Sequence, residues 1–497
     1  MTANAAKVKS LAELGLHAKG GQEVRITGVA LDSRRVGKGH LFAALPGSKV
    51  HGAAFVPTAL AQGAAAVLTD PEGARIAAQA LGETQAALIV TEDAREALSA
   101  AAALWYGAQP DTAVAVTGTN GKTSVATFTR QIWEALGRKA VNLGTTGIEG
   151  GYAAPLHHTT PDPLTLHRHL AAMAAEGVTH LAMEASSHGL DQRRLDGVRL
   201  AAAGFTNFTQ DHLDYHHSFE AYFEAKAGLF SRLLGDDGVA VVNLDDPRGL
   251  DIAELAEARG QEVIGIGQSE AAELRITGQR YDASGQDLRF TWQGQPFQTR
   301  LSLIGGFQAA NVLCAAGLAI AAGEEPGEVF EVLPRLRTVR GRMQHVATRA
   351  NGGTIFVDYA HTPDAVATAL KALRPHVLGN LVVVLGAGGD RDTTKRPLMG
   401  EAAAAHADRV IVTDDNPRSE DPDLIRAMVM QGCPEAANVA DRAEAILRGV
   451  DTIRPGDALL IAGKGHETGQ IVGDTVYPFD DAEQASVAVA ALEGRQP

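Results

Sequence analysis

Two cysteines in 497 residues are too few for a disulfide framework. Cys314 and Cys433 stand far apart, in apolar or Gly/Pro-containing surroundings, and are expected to be inert thiols of a reducing compartment. No stretch of about 18 consecutive apolar residues occurs, and the start carries no signal-peptide pattern, so neither a membrane span nor export is expected. The chain also lacks an acidic or basic block, a tandem repeat, and any low-complexity segment beyond alanine-rich helices such as 401–407. A formal charge of −15 argues against non-specific nucleic-acid binding. It does not exclude a phosphate-bearing small molecule, because local lysines and helix ends decide that. What is left is a soluble, cytoplasmic, globular protein, 45% hydrophobic and 21% charged. It is too long for one core, so several domains are expected.

The most informative stretch is 111–124, Asp-Thr-Ala-Val-Ala-Val-Thr-Gly-Thr-Asn-Gly-Lys-Thr-Ser. Residues 112–116 read as a buried parallel strand, and 125–136 continue at helical spacing. Gly118 and Gly121 permit a tight turn, and Lys122, Thr123 and Ser124 open the helix. Strand, glycine turn and helix start together make an anion site, because free N–H groups and the helix dipole converge there. Lys122 adds a positive charge, and the Thr123 hydroxyl suits Mg²⁺. The first glycine of the generic phosphate-loop pattern is replaced by Val116, so this is the shorter Thr-Gly-Thr-Asn-Gly-Lys-Thr form.

Three units are expected: 1–107, 108–338 and 339–497. In the first, strands are expected within 24–32 and at 64–69, and helices at 55–62 and 94–105. Its loops 32–36 and 47–52 could hold a nucleotide diphosphate or be plain surface turns. In the second, a helix is expected from Asp162 and Pro163 to about Glu176, and a buried strand over 180–185 ends in Glu184. A carboxylate at that strand end suits Mg²⁺, although a turn or capping role is equally open. Residues 211–217 hold two aspartates and three histidines, but their spacing matches no zinc motif. Lys226 falls within the apolar stripe of a helix with Tyr222, Phe223, Leu229 and Phe230. A snorkelling lysine and a lysine beside a metal site both fit. In the third unit, strands are expected at 354–358, 381–385, 410–413 and 458–462, each followed by a polar cluster. In an open parallel sheet such clusters share the edge where ligands bind.

Together these residues resemble the Mur ligase family, the cytoplasmic ATP-dependent enzymes that build the peptidoglycan stem peptide. The resemblance runs in order over almost the whole chain and is nearest to the branch that adds the third residue. It implies an α/β fold of three domains. These are an N-terminal UDP-binding domain, a central P-loop-type ATPase domain with a mostly parallel sheet, and a C-terminal Rossmann-like domain that selects the amino acid. It implies ATP binding by Gly118, Thr119, Asn120, Gly121, Lys122, Thr123 and Ser124, with Asn311, Arg342 and Asp358. It gives Mg²⁺ to Thr123, Glu184, His212 and Lys226, the last as a lysine carbamylated by CO₂. Lys122, Glu184, His212 and Lys226 are then the catalytic set. Leu31, Ser33, Ser48, Lys49 and Val50 match the uridine diphosphate site. His158, Thr159, Thr160, Ser186, Gln192 and Arg194 match contacts to the muramoyl dipeptide. Arg391, Asp415, Asn416, Pro417, Arg418, Gly463 and Glu467 match the diaminopimelate pocket.

The implied reaction joins meso-diaminopimelate to UDP-N-acetylmuramoyl-L-Ala-D-Glu at the expense of ATP, through an acyl phosphate. The implied partners are these small molecules alone, with no nucleic acid or membrane, and the implied state is a monomer. Arg418 offers a planar fork to the distal carboxylate that lysine lacks. A pocket rebuilt around it could take lysine or ornithine instead. Gln308 and Gln344 depart from the Asn and Glu of many relatives, although both keep a hydrogen-bonding side chain. Competing readings are a folylpolyglutamate synthase, a kinase or regulatory ATPase, and a non-catalytic ATP-binding scaffold. The full first unit, the Asp-Asn-Pro-Arg cluster and the intact Lys122, Glu184, His212 and Lys226 weigh against them.

Overall fold

A computed structural model describes residues 7–47, 50–209 and 213–494. By internal contacts the chain divides into two compact units, 1–265 with 317–325, and 266–316 with 326–497.

The first unit opens with a four-stranded parallel sheet in chain order: Gly28–Ala30 (β1), His40–Ala43 (β2), Ala66–Thr69 (β3) and Ala87–Val90 (β4). Helix Ala94–Tyr106 (α1) starts on an Asp93 cap and buries Leu98, Ala101, Ala102 and Trp105. A second set of elements follows: Thr112–Thr117 (β5), Lys122–Ala135 (α2), Ala140–Gly144 (β6), Gly147–Gly150 (β7), Pro163–Ala175 (α3), His180–Glu184 (β8), Ser187–Asp191 (α4), Ala202–Phe205 (β9), Phe219–Gly228 (α5) and Val239–Asn243 (β10). Their strand order is β10-β9-β5-β8-β6-β7, parallel except for the β6–β7 hairpin. β5 is central and apolar on both faces, as a doubly covered parallel strand must be. Order reverses beside it, so the carboxyl ends of β5, β8 and β9 open onto one crevice. The helix expected through Phe230 ends at Gly228 and continues as a π-turn over Leu229–Leu233.

In the second unit, Leu274–Asp282 (β11), Gly285–Trp292 (β12) and Gln295–Leu301 (β13) form an antiparallel meander where the sequence reading assigns nothing. Helix Phe307–Ala321 (α6) carries Asn311. A six-stranded sheet follows, built from Gln344–Thr348 (β14), Thr354–Asp358 (β15), Leu381–Leu385 (β16), Arg409–Val412 (β17), Ala437–Asn438 (β18) and Ala458–Ala462 (β19). Its order is β14-β15-β19-β16-β17-β18, with only β14 antiparallel. Helices Pro363–Leu373 (α7), Lys395–His406 (α8), Pro422–Met430 (α9), Arg442–Thr452 (α10) and Asp481–Leu492 (α11) accompany this sheet. A short hairpin, Gly469–Val472 (β20) and Thr475–Pro478 (β21), follows β19. Among the described residues no helix is long and apolar enough to cross a membrane.

Candidate active site

The turn from β5 into α2 is shaped by its glycines. Gly118 has φ 141° and Gly121 φ 89°, values that side chains disfavour. A Cβ on Gly118 would also collide with the Thr206 hydroxyl. The end of β9 braces the loop: Asn207 Oδ1 accepts from Asn120 N at 2.9 Å, and Thr119 N donates to Asn207 O at 2.8 Å. Gly121 caps α2 without a side-chain hydrogen bond, and a helix start of this kind favours an anion through its dipole. Lys122 Nζ folds back onto the carbonyls of Gly118 (2.9 Å) and Thr119 (2.8 Å).

Glu184, at the end of β8, is 1% exposed and is held on three sides. Thr123 Oγ1 donates to its Oε2 at 3.1 Å, Thr145 Oγ1 to the same atom at 3.1 Å, and Thr145 N to Oε1 at 2.8 Å. A side chain at Gly144 would strike this carboxylate. Thr145 also reaches Thr159 (3.0 Å), and Thr160 Oγ1 donates to Glu184 O (3.0 Å) while accepting from Ser186 N (3.1 Å). Ser186 then caps α4. Thr123, Glu184, Thr159, Thr160 and Ser186 are thus brought together by one carboxylate and its strand. Glu184 is neither a turn residue nor a helix cap.

Lys226 is also 1% exposed. Its Nζ donates to Gly118 O at 2.7 Å and lies 4.5 Å from the centre of the Tyr222 ring. The snorkelling alternative therefore fails, because the amine points inward to the phosphate loop. His212 lies outside the described residues. Among the described residues no three His, Cys, Asp or Glu side chains form a metal cluster. The Thr123 hydroxyl and the Glu184 carboxylate are hard oxygen donors in contact, a pair that fits Mg²⁺, which keeps waters and takes phosphate oxygens for its other positions.

A cavity of about 320 Å³ lies between the β1–β4 sheet and the start of α3, lined by Leu31, Pro46, Arg95, Asp162, Gln192 and Arg194 among others. Arg194 donates to Thr160 O (2.6 Å) and to Gln192 Oε1 (2.8 Å), which joins this cavity to the Glu184 region. Burial pulls the Arg194 pKa down, and Asp162 opposes that. Ser33 is 8% exposed, in a short turn capped by Asp32. Val50 and His158 are exposed, and Ser48 and Lys49 lie outside the described residues.

In the second unit the loops after β16, β17 and β19 meet. Arg418 Nη1 donates to Gly389 O (2.8 Å), and Gly389 N donates to Asn416 O (3.0 Å). Asn416 Nδ2 donates to Glu467 Oε2 at 2.8 Å. Gly463, with φ 121°, packs so tightly on Asp415 that a Cβ would overlap its carboxylate. Burial and the Asp415 charge push the Glu467 pKa up. Arg391 is exposed at the rim. Nearby, Asp358 accepts from Met343 N (2.7 Å) and Ala360 N (2.9 Å), and Arg342 stacks 4.4 Å from the centre of Tyr359. Asn311 Nδ2 donates to Gln308 Oε1 (3.1 Å), and Gln344 Oε1 accepts from Gly341 N (2.8 Å), so both departing glutamines are bonded.

Three family models match in order: "Mur ligase family, catalytic domain" at 25–106, "Mur ligase middle domain" at 116–319, and "Mur ligase, glutamate ligase domain" at 341–465. A Caulobacter vibrioides protein is 51% identical over 94% of this chain and 96% of its own length. A Bradyrhizobium diazoefficiens protein is 49% identical over the same shares. Both are named UDP-N-acetylmuramoyl-L-alanyl-D-glutamate–2,6-diaminopimelate ligase. The chain belongs to the Mur ligase family.

The three-domain α/β fold expected from sequence is therefore that of the family. A solved structure with the same ligase name superposes with a TM-score of 0.71 at 33% identity, covering 98% of this chain and 100% of that one. MurF from Acinetobacter baumannii shares the fold alone, at 19% identity and TM-score 0.62, covering 92% and 96%. Three residues of this Mur ligase escaped the sequence reading. Thr145 clamps Glu184 from a loop with no motif of its own. Arg95 reaches the cavity from α1, far away in sequence. Lys464 sits inside a polar cluster that was visible, but its complete burial was not.

Proposed function

We propose that the protein is the ATP-dependent ligase that adds meso-diaminopimelate to UDP-N-acetylmuramoyl-L-Ala-D-Glu, a cytoplasmic step of peptidoglycan precursor synthesis. The observation that carries the choice of amino acid is the loop after β17. Donors on Arg418 and Asn416 stand beside the acceptors of Asp415 and Glu467, the pairing that the distal carboxylate and ammonium of diaminopimelate would require and that the distal end of lysine or ornithine, with no carboxylate, would leave half unused. The names of the relatives at about half identity support the same substrate.

The chemistry starts from the inertness of a carboxylate toward amines. The γ-carboxylate of D-glutamate attacks the γ-phosphorus of ATP, the bond to ADP breaks, and an acyl phosphate forms. Lys122 and the start of α2 lie where phosphate charge would develop, and positioning with charge neutralisation supplies most of such catalysis. Mg²⁺ held by Thr123, Glu184 and His212 would neutralise the β- and γ-phosphate oxygens. Asn311, Arg342 and Asp358 complete the nucleotide assignment. The amine of diaminopimelate then attacks the acyl carbon, a tetrahedral intermediate forms, and phosphate leaves. Arg95 and Arg194 suit the anionic groups of the UDP-linked substrate, and Leu31 with Pro46 offers an apolar wall for its uracil.

In this reading Lys226 is carbamylated, which turns the buried ammonium beside Gly118 O into an anion able to share Mg²⁺ charge. The test is phosphate release with UDP-N-acetylmuramoyl-L-Ala-D-Glu, ATP and Mg²⁺, offered meso-diaminopimelate, L-lysine or L-ornithine. Turnover with diaminopimelate alone is expected. Turnover with lysine or ornithine would overturn the amino-acid assignment, and no amine-dependent turnover would overturn the ligase.

A further inference from the structure

A buried lysine without an obvious reason stands under the amino-acid loop. Lys464, just after β19, is 0% exposed. An ammonium taken out of water must find partners for its three donors. Here Nζ donates to Asn416 Oδ1 (2.9 Å) and Gly469 O (2.7 Å), and it lies 3.4 Å from Asp415 Oδ1 and 3.7 Å from Glu467 Oε2. Each of these partners is either in the loop after β17, at the base of the β20–β21 hairpin, or in the cluster after β19. The lysine bonds the hairpin base and the Asn416 side chain at once.

That placement decides which way the Asn416 amide points. Its Oδ1 faces two groups that can only donate, Lys464 Nζ and Ile471 N (2.9 Å). The amide nitrogen is therefore forced to the other side, where one hydrogen goes to Glu467 Oε2. Its second hydrogen meets no acceptor among the described residues. Asn416 and Arg418 both occupy the left-handed region, with φ 43° and 51°, a conformation uncommon for non-glycine residues and less costly for Asn than for Arg. The hairpin restrains both. Gln470 Oε1 accepts from Asn416 N (3.1 Å), Ile471 O accepts from Arg418 N (3.1 Å), and Gly473 N donates to Arg418 O (2.7 Å).

We infer that Lys464, with the β20–β21 hairpin it anchors, is a positioning layer for recognition of the amino-acid substrate: it orients the Asn416 amide and the Glu467 carboxylate and holds Arg418 in its left-handed turn. Lys464 is a positioning residue here and not a substrate contact: it is fully buried, with two hydrogen bonds to protein oxygens and two carboxylates within 3.7 Å. The inference rests on the reading of this loop as the amino-acid site.

The test is steady-state kinetics on the full chain with each of the three substrates varied in turn. Lys464→Met is expected to raise KM for diaminopimelate by on the order of 10- to 100-fold, as the loss of a buried charged hydrogen bond does. KM for ATP and for the UDP-linked substrate should stay within about twofold. The Lys464→Met and Asn416→Ala effects should not add, since the first acts through the second. An unchanged diaminopimelate KM, additive effects, or three KM values rising together would overturn the inference. If Lys464→Met does not fold, Gln470→Ala removes a hairpin bond to Asn416 without touching a buried charge. It must raise the diaminopimelate KM selectively, and an unchanged value sinks the positioning layer. Arg418→Ala is the control on the reading beneath. If it leaves the diaminopimelate KM unmoved, the site assignment is wrong; if it raises that KM while Lys464→Met does not, only the positioning inference fails.

Discussion

The loop after β5 and the loop after β17 solve the same problem by opposite means. Both leave the carboxyl end of a parallel strand, both depart from ordinary backbone geometry, and both carry a cation. The phosphate loop reaches positive φ with Gly118 and Gly121, and its Lys122 bonds carbonyls of its own turn. The loop after β17, proposed to meet the amino acid, reaches positive φ with Asn416 and Arg418, and its restraint comes from a hairpin and a buried lysine about fifty residues downstream. A phosphate is bound by backbone N–H groups, so that loop needs little side chain and much conformational freedom. An amino-acid zwitterion is bound by side chains, so glycine cannot serve there, and the strain is countered from outside.

Lys122→Met should break the first loop's chemistry most severely. Removing a charge aimed at a transferring phosphoryl group is expected to lower kcat by on the order of 10²- to 10³-fold. The folded state should survive, because the Lys122 bonds are to carbonyls at a part-buried position. ADP release at saturating substrates measures the first, and thermal melting the second. A kcat within tenfold of wild type would mean that the helix start, not the lysine, does the work.

Gly118→Ala asks whether the glycine is needed for its backbone alone. The φ of 141° and the overlap with the Thr206 hydroxyl both oppose a methyl group. A loss of about 1–3 kcal/mol is expected, read as the midpoint of chemical denaturation. ATP affinity should fall with it, because the same distortion moves the N–H cradle. Wild-type stability would show that the loop can relax and that the contrast between the two loops is overdrawn.

The same contrast explains what the sequence could disclose. The glycine loop is a local device, so its residues announced it, and the strands Thr354–Asp358, Leu381–Leu385 and Ala458–Ala462 appear at their expected residues because they are short, apolar and bounded by polar clusters. The meander of β11 to β13 carried a signal too. Gln293 and Gly294, with φ 48° and 82°, form the two-residue turn of a hairpin between alternating strands. Gln293 stands where Asn or Asp usually opens such a turn, and Gln lacks their preference for positive φ, so the signal was weak. Lys226 was open between two roles because its partner, Gly118 O, is 108 residues away. Thr145, Arg95 and Lys464 act through burial and distant contacts, which no local pattern encodes. The resemblance to the family proposed Asn416 and Arg418 as site residues, but not the reason they hold their shape.

That reason can be isolated at one position. Arg418 has two burdens: a left-handed backbone and a guanidinium that a ligand carboxylate can use. Arg418→Ala removes the guanidinium and keeps the strain, whereas Arg418→Gly removes both. The glycine variant should therefore be the more stable by about 1 kcal/mol, the usual cost of a Cβ in the left-handed region. Both variants should lose diaminopimelate affinity alike, since neither offers a fork. Equilibrium denaturation gives the first comparison and KM the second. Equal stabilities would mean that the hairpin bonds from Ile471 and Gly473 hold the turn without strain. The loop would then resemble the glycine loop more closely than its residues suggest. A glycine variant that recovered affinity would mean that the guanidinium is not what the substrate meets, and the chemical difference between the two loops would collapse with it.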